Sequence, residues 1–225
     1  MQSHYFKTNK PCLINNIYGT ICALFFNGGN IMATEIIRSV PDLTDYTQEE
    51  LMELFKTLEA PTMDEMQGEF HSTKLGYHSL RDYIEWRVSC DNPLMGGDWV
   101  GKGWTKTSDT EGRGYNLFRL PGGKLKRMYP MYTCIAPSRY DGKPAFTLVY
   151  RAFLSGTALV GMVDELRKVG DGTYLLIGTY GLTKKDKMRP HFWLIEGPYR
   201  SYRGDIGAKE PRKFDFKKEI PNYGK

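Results

Sequence analysis

Two strand-length apolar runs, Met162 to Val169 and Tyr174 to Tyr180, flank the turn Gly170-Asp171-Gly172. Asp-Gly supplies the positive φ angles of a tight hairpin, so the two runs pair antiparallel. A charged turn follows around Lys184-Lys185-Asp186-Lys187, and Pro190 to Ile195 returns as a strand. Residues 146–198 therefore read as a meander whose apolar face must be buried against something. Leu159, Met162, Val163 and Leu166 also fit a helical stripe, but Gly161 and the hairpin turn favour the strand.

The same period runs upstream. Trp99 to Lys106, Arg113 to Leu120, Lys124 to Ala136 and Ala145 to Phe153 read as strands, punctuated by Pro121-Gly122-Gly123 and Asp141-Gly142-Lys143. Seven or eight strands at this short spacing predict a mainly β fold, an antiparallel β-barrel. Ahead of them, Thr47-Gln48-Glu49-Glu50 is a capping box. Leu51, Leu54, Phe55 and Leu58 then follow at helical spacing, and Ala60-Pro61 ends the helix. That helix should plug or flank the barrel. A second short helix is expected at Ser79 to Val88, with Leu80, Tyr83, Ile84 and Val88 on one stripe.

Three regions follow from the pattern. Residues 1–31 differ from the rest and are expected to be a disordered or misassigned extension, with Met32 as the alternative start. Their apolar run, Ile17 to Phe26, is too short to span a membrane as a helix. Residues 32–198 form the helix-plus-barrel domain, and residues 199–225 a loose basic tail. The net charge is +5, and the tail alone holds eight Lys or Arg against four acids. The body is thus nearly neutral, which argues against a nucleic-acid surface. Cys12, Cys22, Cys90 and Cys134 show no paired spacing. Free thiols in a reducing, cytoplasmic setting are expected, without a disulfide framework or zinc knuckle.

Gly97-Asp98-Trp99 and Trp104, with Gly101-Lys102-Gly103 between, form a G-x-W element followed by an aromatic-flanked Gly-Lys. The first is similar to the opening strand of lipocalins. The second, with Asp164 to Val169 and Leu175-Leu176-Ile177-Gly178, resembles a group of lipocalin-like proteins named after G-x-W-x-G. The likeness covers residues 60–198. It departs from the group at Gly68-Glu69-Phe70-His71, where Phe stands for Trp and the second Gly is missing. The resemblance implies a lipocalin-like (calycin) barrel with an internal ligand cavity, and it implies no reaction.

Candidate site residues come from strand alternation. Met162, Asp164 and Leu166 share one face, and an acid between apolar neighbours needs a partner, for which Arg151 and Arg167 are candidates. An internal structural ion pair is the plain alternative to a ligand contact or general base. His191 alternates with Trp193, and a histidine beside a ligand can move a proton near neutral pH. Trp99 reads as packing at the barrel floor. Trp104, Tyr132, Tyr150, Met162 and Trp193 are expected on the cavity wall, with Arg151 as a polar contact. His71 and His78 lack an acid pattern, and no metal-ligand spacing, phosphate loop, dinucleotide fingerprint or G-x-S-x-G elbow occurs. The expected function is binding of a small apolar or amphipathic molecule in the barrel, with no cofactor, no nucleic acid and no stable membrane insertion. The alternative is a cofactor-independent isomerase or cyclase with Asp164 and His191 as proton carriers.

Overall fold

The structure is a computed structural model. It describes residues 42–76, 97–156, 161–208 and 210–223, residues 80, 83, 84 and 87, and the backbone of short strands within 12–38 and at 91–92. Two units are distinguished, Met1–Asp42 and Leu43–Lys225. In the first, β1 (Cys12–Asn15), β2 (Thr20–Leu24) and β5 (Glu35–Arg38) form an antiparallel sheet, and β3 (Phe26–Asn27) pairs with β4 (Asn30–Ile31). The remainder of the expectation for residues 1–31 lies outside the described residues.

The second unit is mainly β. Its strands are β6 (Gly68–Lys74), β7 (Asp91–Asn92), β8 (Gly97–Lys106), β9 (Glu111–Arg119), β10 (Leu125–Pro137), β11 (Pro144–Val149), β12 (Val163–Gly170), β13 (Thr173–Thr179) and β14 (His191–Arg200). Strands β8 to β14 pair each with the next, β14 pairs with β6, and β6 pairs with β8. Eight antiparallel strands thus close a barrel, with β7 as a short addition to the β8 edge. The expected β-barrel is present, and β6 is the strand that the sequence pattern did not show.

Closure depends on glycine at the seam. A Cβ on Gly101 would collide with the Phe70 carbonyl oxygen. Only four residue pairs join the seam, Gly68–His71 against Gly101–Trp104. Beyond them β6 stays with β14 and β8 stays with β9, so the wall splits.

Alternation assigns one face of each strand to the interior. Phe70, Trp104, Met131, Phe146, Leu148, Leu166, Tyr174, Leu176 and Ile195 fill it, all nearly inaccessible to solvent. Trp104 meets Phe70 and Phe146 with ring centroids 5.0 and 5.8 Å apart. Each such tilted or edge-on pair contributes about 0.5–1.5 kcal/mol beyond area burial. Met63 and Met66, from the segment after the first helix, plug one end of this core. Lys168 pairs with Glu65 at 2.5 Å and Lys106 with Asp64 at 2.5 Å, pinning the plug.

Helix α1 (Gln48–Thr57) starts at the expected capping box, with Thr47 and Glu50 exchanging both bonds. It flanks the barrel and does not plug it. Leu51 and Phe55 pack with Leu175, Ile177 and Phe192 on the outer face of β13–β14. Residues 80, 83, 84 and 87 are helical as expected, and Leu80, Tyr83 and Ile84 are exposed. The rest of that stripe lies outside the described residues.

The C-terminal segment is not loose. Arg203 Nε donates to the buried Glu69 at 2.6 Å, and Arg113 pairs with Asp205 at 2.8 Å. Phe214, Phe216 and Tyr223 pack on Tyr132, Cys134 and Val149 outside β10–β11. Ile220, next to α2 (Phe216–Glu219), is wholly buried. Burial also pushes the Cys134 thiol up to about 12.

Candidate functional site

Three strands and a 3₁₀ turn bring polar side chains together inside the barrel. Lys102 lies on β8 opposite Asn116 on β9. Asp164 lies on β12, and Tyr150 opens the 3₁₀ turn Tyr150–Phe153 after β11. Lys102 Nζ reaches Asp164 Oδ2 at 2.8 Å, Asn116 Oδ1 at 2.8 Å and the Tyr150 hydroxyl at 2.5 Å. The Tyr150 hydroxyl donates to Asp164 Oδ2 at 2.9 Å. Lys102 and Asp164 each expose only 3% of their side chains. A buried charge is tolerated when paired and hydrogen-bonded, and this network meets that condition.

Trp99 covers the cluster. Its indole N–H donates to Asn116 Oδ1 at 3.2 Å, and Lys102 Nζ sits 4.9 Å from its ring centroid. The β8–β9 register shifts between Trp99 and Gly101. That one-residue irregularity re-aims the strand just beside the seam, a common use of a bulge next to a site. Trp193 on β14 stands almost perpendicular to Trp99, with centroids 5.6 Å apart and 87° between the planes.

Beside these indoles, where β6 and β8 part, lies a cleft of about 370 Å³. Ser72, Thr73 and Lys74 form one bank, Asp98, Trp99 and Val100 the other, and His71, Arg119 and Trp193 complete it. Lys74 Nζ lies 4.6 Å above the Trp193 ring. Arg119 and Asp98 approach to 3.5 Å at the rim. The cleft therefore has aromatic walls, cations at its edge and a charged pair behind one wall. Its size falls within the usual range for small-molecule sites.

The predicted residues divide clearly. Asp164, Tyr150 and Trp193 come together. Gly178 lies between Asp164 on β12 and His191 on β14, and a Cβ there would stand 2.6 Å from the Trp193 ring. His191 is buried and stacked on Tyr180 at 4.8 Å, beside Trp193. Met162 packs against the interior core, half-buried. Trp104 is wholly buried in that core, away from the cleft, and its indole nitrogen has no hydrogen-bond partner.

Two residues lie elsewhere. Tyr132 points outward beneath Phe214, because Met131 takes the interior position. Arg151 is on the surface, paired with Glu219 at 2.7 Å. Neither arginine proposed for Asp164 reaches it. Arg167 faces outward under α1, holding Asp141 through two bonds of 2.7 Å and the Phe55 carbonyl at 2.9 Å. The partner is Lys102, which sequence reasoning missed along with Asn116 and Lys74. Lys102 and Asp164 both sit at interior-facing strand positions, which was the available signal.

Among the described residues, no group of three or more His, Cys, Asp or Glu could hold a metal ion. No helix among them is long and apolar enough to cross a membrane. No family model matches the chain, and no curated protein matches it. The chain is similar to a protein from Thermomonospora curvata of known crystal structure. The two are 14% identical, the match spans 67% of this chain and 86% of the other, and the TM-score is 0.45. A likeness at that level carries no argument about function.

Proposed function

We propose that the protein is a lipocalin-like binder of a small amphipathic molecule, held in the cleft where the barrel wall splits. The observation that carries this reading is the pair of perpendicular indoles, Trp99 and Trp193, lining a cleft of about 370 Å³. Aromatic faces supply contact area at low entropic cost, and Lys74 and Arg119 orient a polar end. The Lys102–Asp164 pair fixes Trp99 from behind through Asn116. Of the two expected ligand classes, apolar or amphipathic, the polar rim favours the amphipathic one. The described cysteine, Cys134, is free and buried, in keeping with a cytoplasmic protein.

The test is titration with the amphipathic fluorophore 8-anilino-1-naphthalenesulfonate. Trp99→Ala and Gly178→Leu should each weaken binding by at least about tenfold, the loss expected for one large aromatic contact. Equal affinity in folded variants would reject the cleft as the site.

A second reading, a cofactor-independent isomerase or cyclase, draws on one observation. The Tyr150 hydroxyl lies between a lysine ammonium and an aspartate carboxylate, an arrangement able to pass a proton. On that reading Tyr150→Phe and Asp164→Asn keep the ligand and lose turnover about 100-fold or more. A pure binder shows no turnover to lose.

A further inference from the structure

A second concavity shares no lining residue with the cleft. It is a groove of about 710 Å³ between the connection 180–190 and the C-terminal segment. Lys184 and Lys187 line it from the first, and Lys217, Lys218, Asn222 and Tyr223 from the second.

Four ammonium groups and no carboxylate thus share one groove. The acids beside them in the chain are engaged elsewhere. Asp186 accepts from the Thr183 hydroxyl at 2.6 Å, Asp215 accepts from the Lys217 amide at 3.0 Å, and Glu219 pairs with Arg151 at 2.7 Å. Among the described residues, none of the four lysines is ion-paired with a carboxylate.

Both walls are held from beneath. The buried Arg139 donates to the Lys187 carbonyl at 2.7 Å and to the Thr179 hydroxyl, which fixes the turn. The Lys187 stem passes so near Gly161 that a Cβ there would stand 2.9 Å from Cε. On the other wall, Lys218 is followed by Glu219 and Ile220, both buried. Its carbonyl lies 3.5 Å from Lys187 Nζ and joins the two segments. The Tyr223 ring stacks on Phe216, with centroids 5.1 Å apart and 10° between the planes. The backbone of the groove is therefore set before a ligand arrives, which lowers the ordering cost of binding.

We propose that this groove binds a small molecule carrying two or more linked phosphates. A concavity lined by one sign of charge concentrates the opposite ion. Lysine meets phosphate as a point charge with three donors, and each phosphate offers several acceptor oxygens. One carboxylate would answer one lysine, whereas linked phosphates bring several charges into the same short groove. The volume is that of a small-molecule site. The site stands independently of the ligand proposed for the cleft.

The experiment is isothermal titration calorimetry of the full chain with inorganic triphosphate and with ATP, at low and high salt. Each should bind once per chain at low salt and more weakly at high salt. Lys187→Gln and Lys218→Gln, one from each wall, should each weaken binding about fivefold, the factor for one ion contact at about 4 Å in water. Lys56→Gln on α1, outside the groove, is the charge-matched control and should bind as wild type. Far-ultraviolet circular dichroism confirms that each variant is folded. Tighter binding of ATP, lost in Tyr223→Ala, identifies a nucleoside polyphosphate, and equal affinity for the two probes identifies the phosphates alone. No binding of either probe at low salt, unchanged affinity in both groove variants, or equal loss in the Lys56 control overturns the proposal. Hexaglutamate bound as tightly as triphosphate would also overturn it, since the groove would then read negative charge and not phosphate.

Discussion

Lys102→Met removes the buried cation while keeping most of its volume. In the native protein that ammonium reaches Asp164, Asn116 and Tyr150 at 2.5–2.8 Å. After the substitution Asp164 keeps the Tyr150 hydroxyl but loses its counter-charge, at a position 2% exposed. Breaking a buried pair from one side costs about 3–5 kcal/mol, because the remaining charge stays desolvated. That is a large share of the roughly 5–15 kcal/mol by which domains are usually stable. Asp164→Leu in the Lys102→Met background removes the stranded charge. Replacing a whole buried pair with apolar groups is often nearly neutral, so the double variant should recover most of the loss. Urea unfolding followed by tryptophan emission and by circular dichroism gives the four corners of the cycle. A Lys102→Met cost below about 1 kcal/mol, or a double variant no more stable than the single one, would refute a tightly coupled buried pair.

Other outcomes follow from the same contacts. Trp104→Ala should cost about 3–5 kcal/mol through the cavity it leaves, measured by urea unfolding, while Trp99→Ala should cost less stability and more binding. Gly101→Val should prevent closure of the β6–β8 seam, visible as lost amide protection in β6, since any side chain there meets the Phe70 carbonyl. The hydrogen bond from Lys168 is the main cause holding the Glu65 carboxyl below its usual 4.5, and Glu65 and Asp171 raise Lys168 above its usual 10.5. The Glu65 contribution is therefore complete above about pH 4.5 and fades as pH falls through the lowered native value. The Lys168 contribution is complete below about pH 10.5 and fades as pH rises through the raised native value. Glu65→Gln should flatten the acid limb of the stability profile, and a profile identical to wild type would contradict that assignment.

Much of the barrel was legible because its turns are chemically explicit. Pro121-Gly122-Gly123, Asp141-Gly142 and Asp171-Gly172 mark three hairpins, and the strands they join lie close to where the pattern put them, except that the run from Ala145 to Phe153 leaves the sheet after Val149. The capping box gave the start of α1 for the same reason. Strand β6 was missed because Gly68-Glu69-Phe70-His71-Ser72-Thr73-Lys74 is mostly polar on both faces. Glu69 points outward but is buried by Tyr115 and Arg203, a long-range arrangement that no local period encodes.

The site was half legible. Strand alternation found Asp164 and paired His191 with Trp193, but a partner 62 positions upstream on the chain, Lys102, is brought in only by closure. Within its Gly-Lys-Gly setting that lysine looks like any surface cation. Tyr132 was assigned to the wrong face because the β9–β10 register shifts between Met128 and Met131. A one-residue slip of that kind exchanges inside for outside. Arg151 was read on a continuing strand, whereas the chain turns into 3₁₀ at Tyr150 and carries it to the surface.

The most direct test of the central claim is native mass spectrometry of the purified protein, before and after denaturation and after exposure to an amphipathic metabolite library. The account predicts a small-molecule adduct that leaves on unfolding or appears with the library, and that Trp99→Ala and Gly178→Leu both abolish. A bare mass throughout, or an adduct unaffected by both substitutions, would contradict a ligand site in the cleft that Trp99 and Trp193 line.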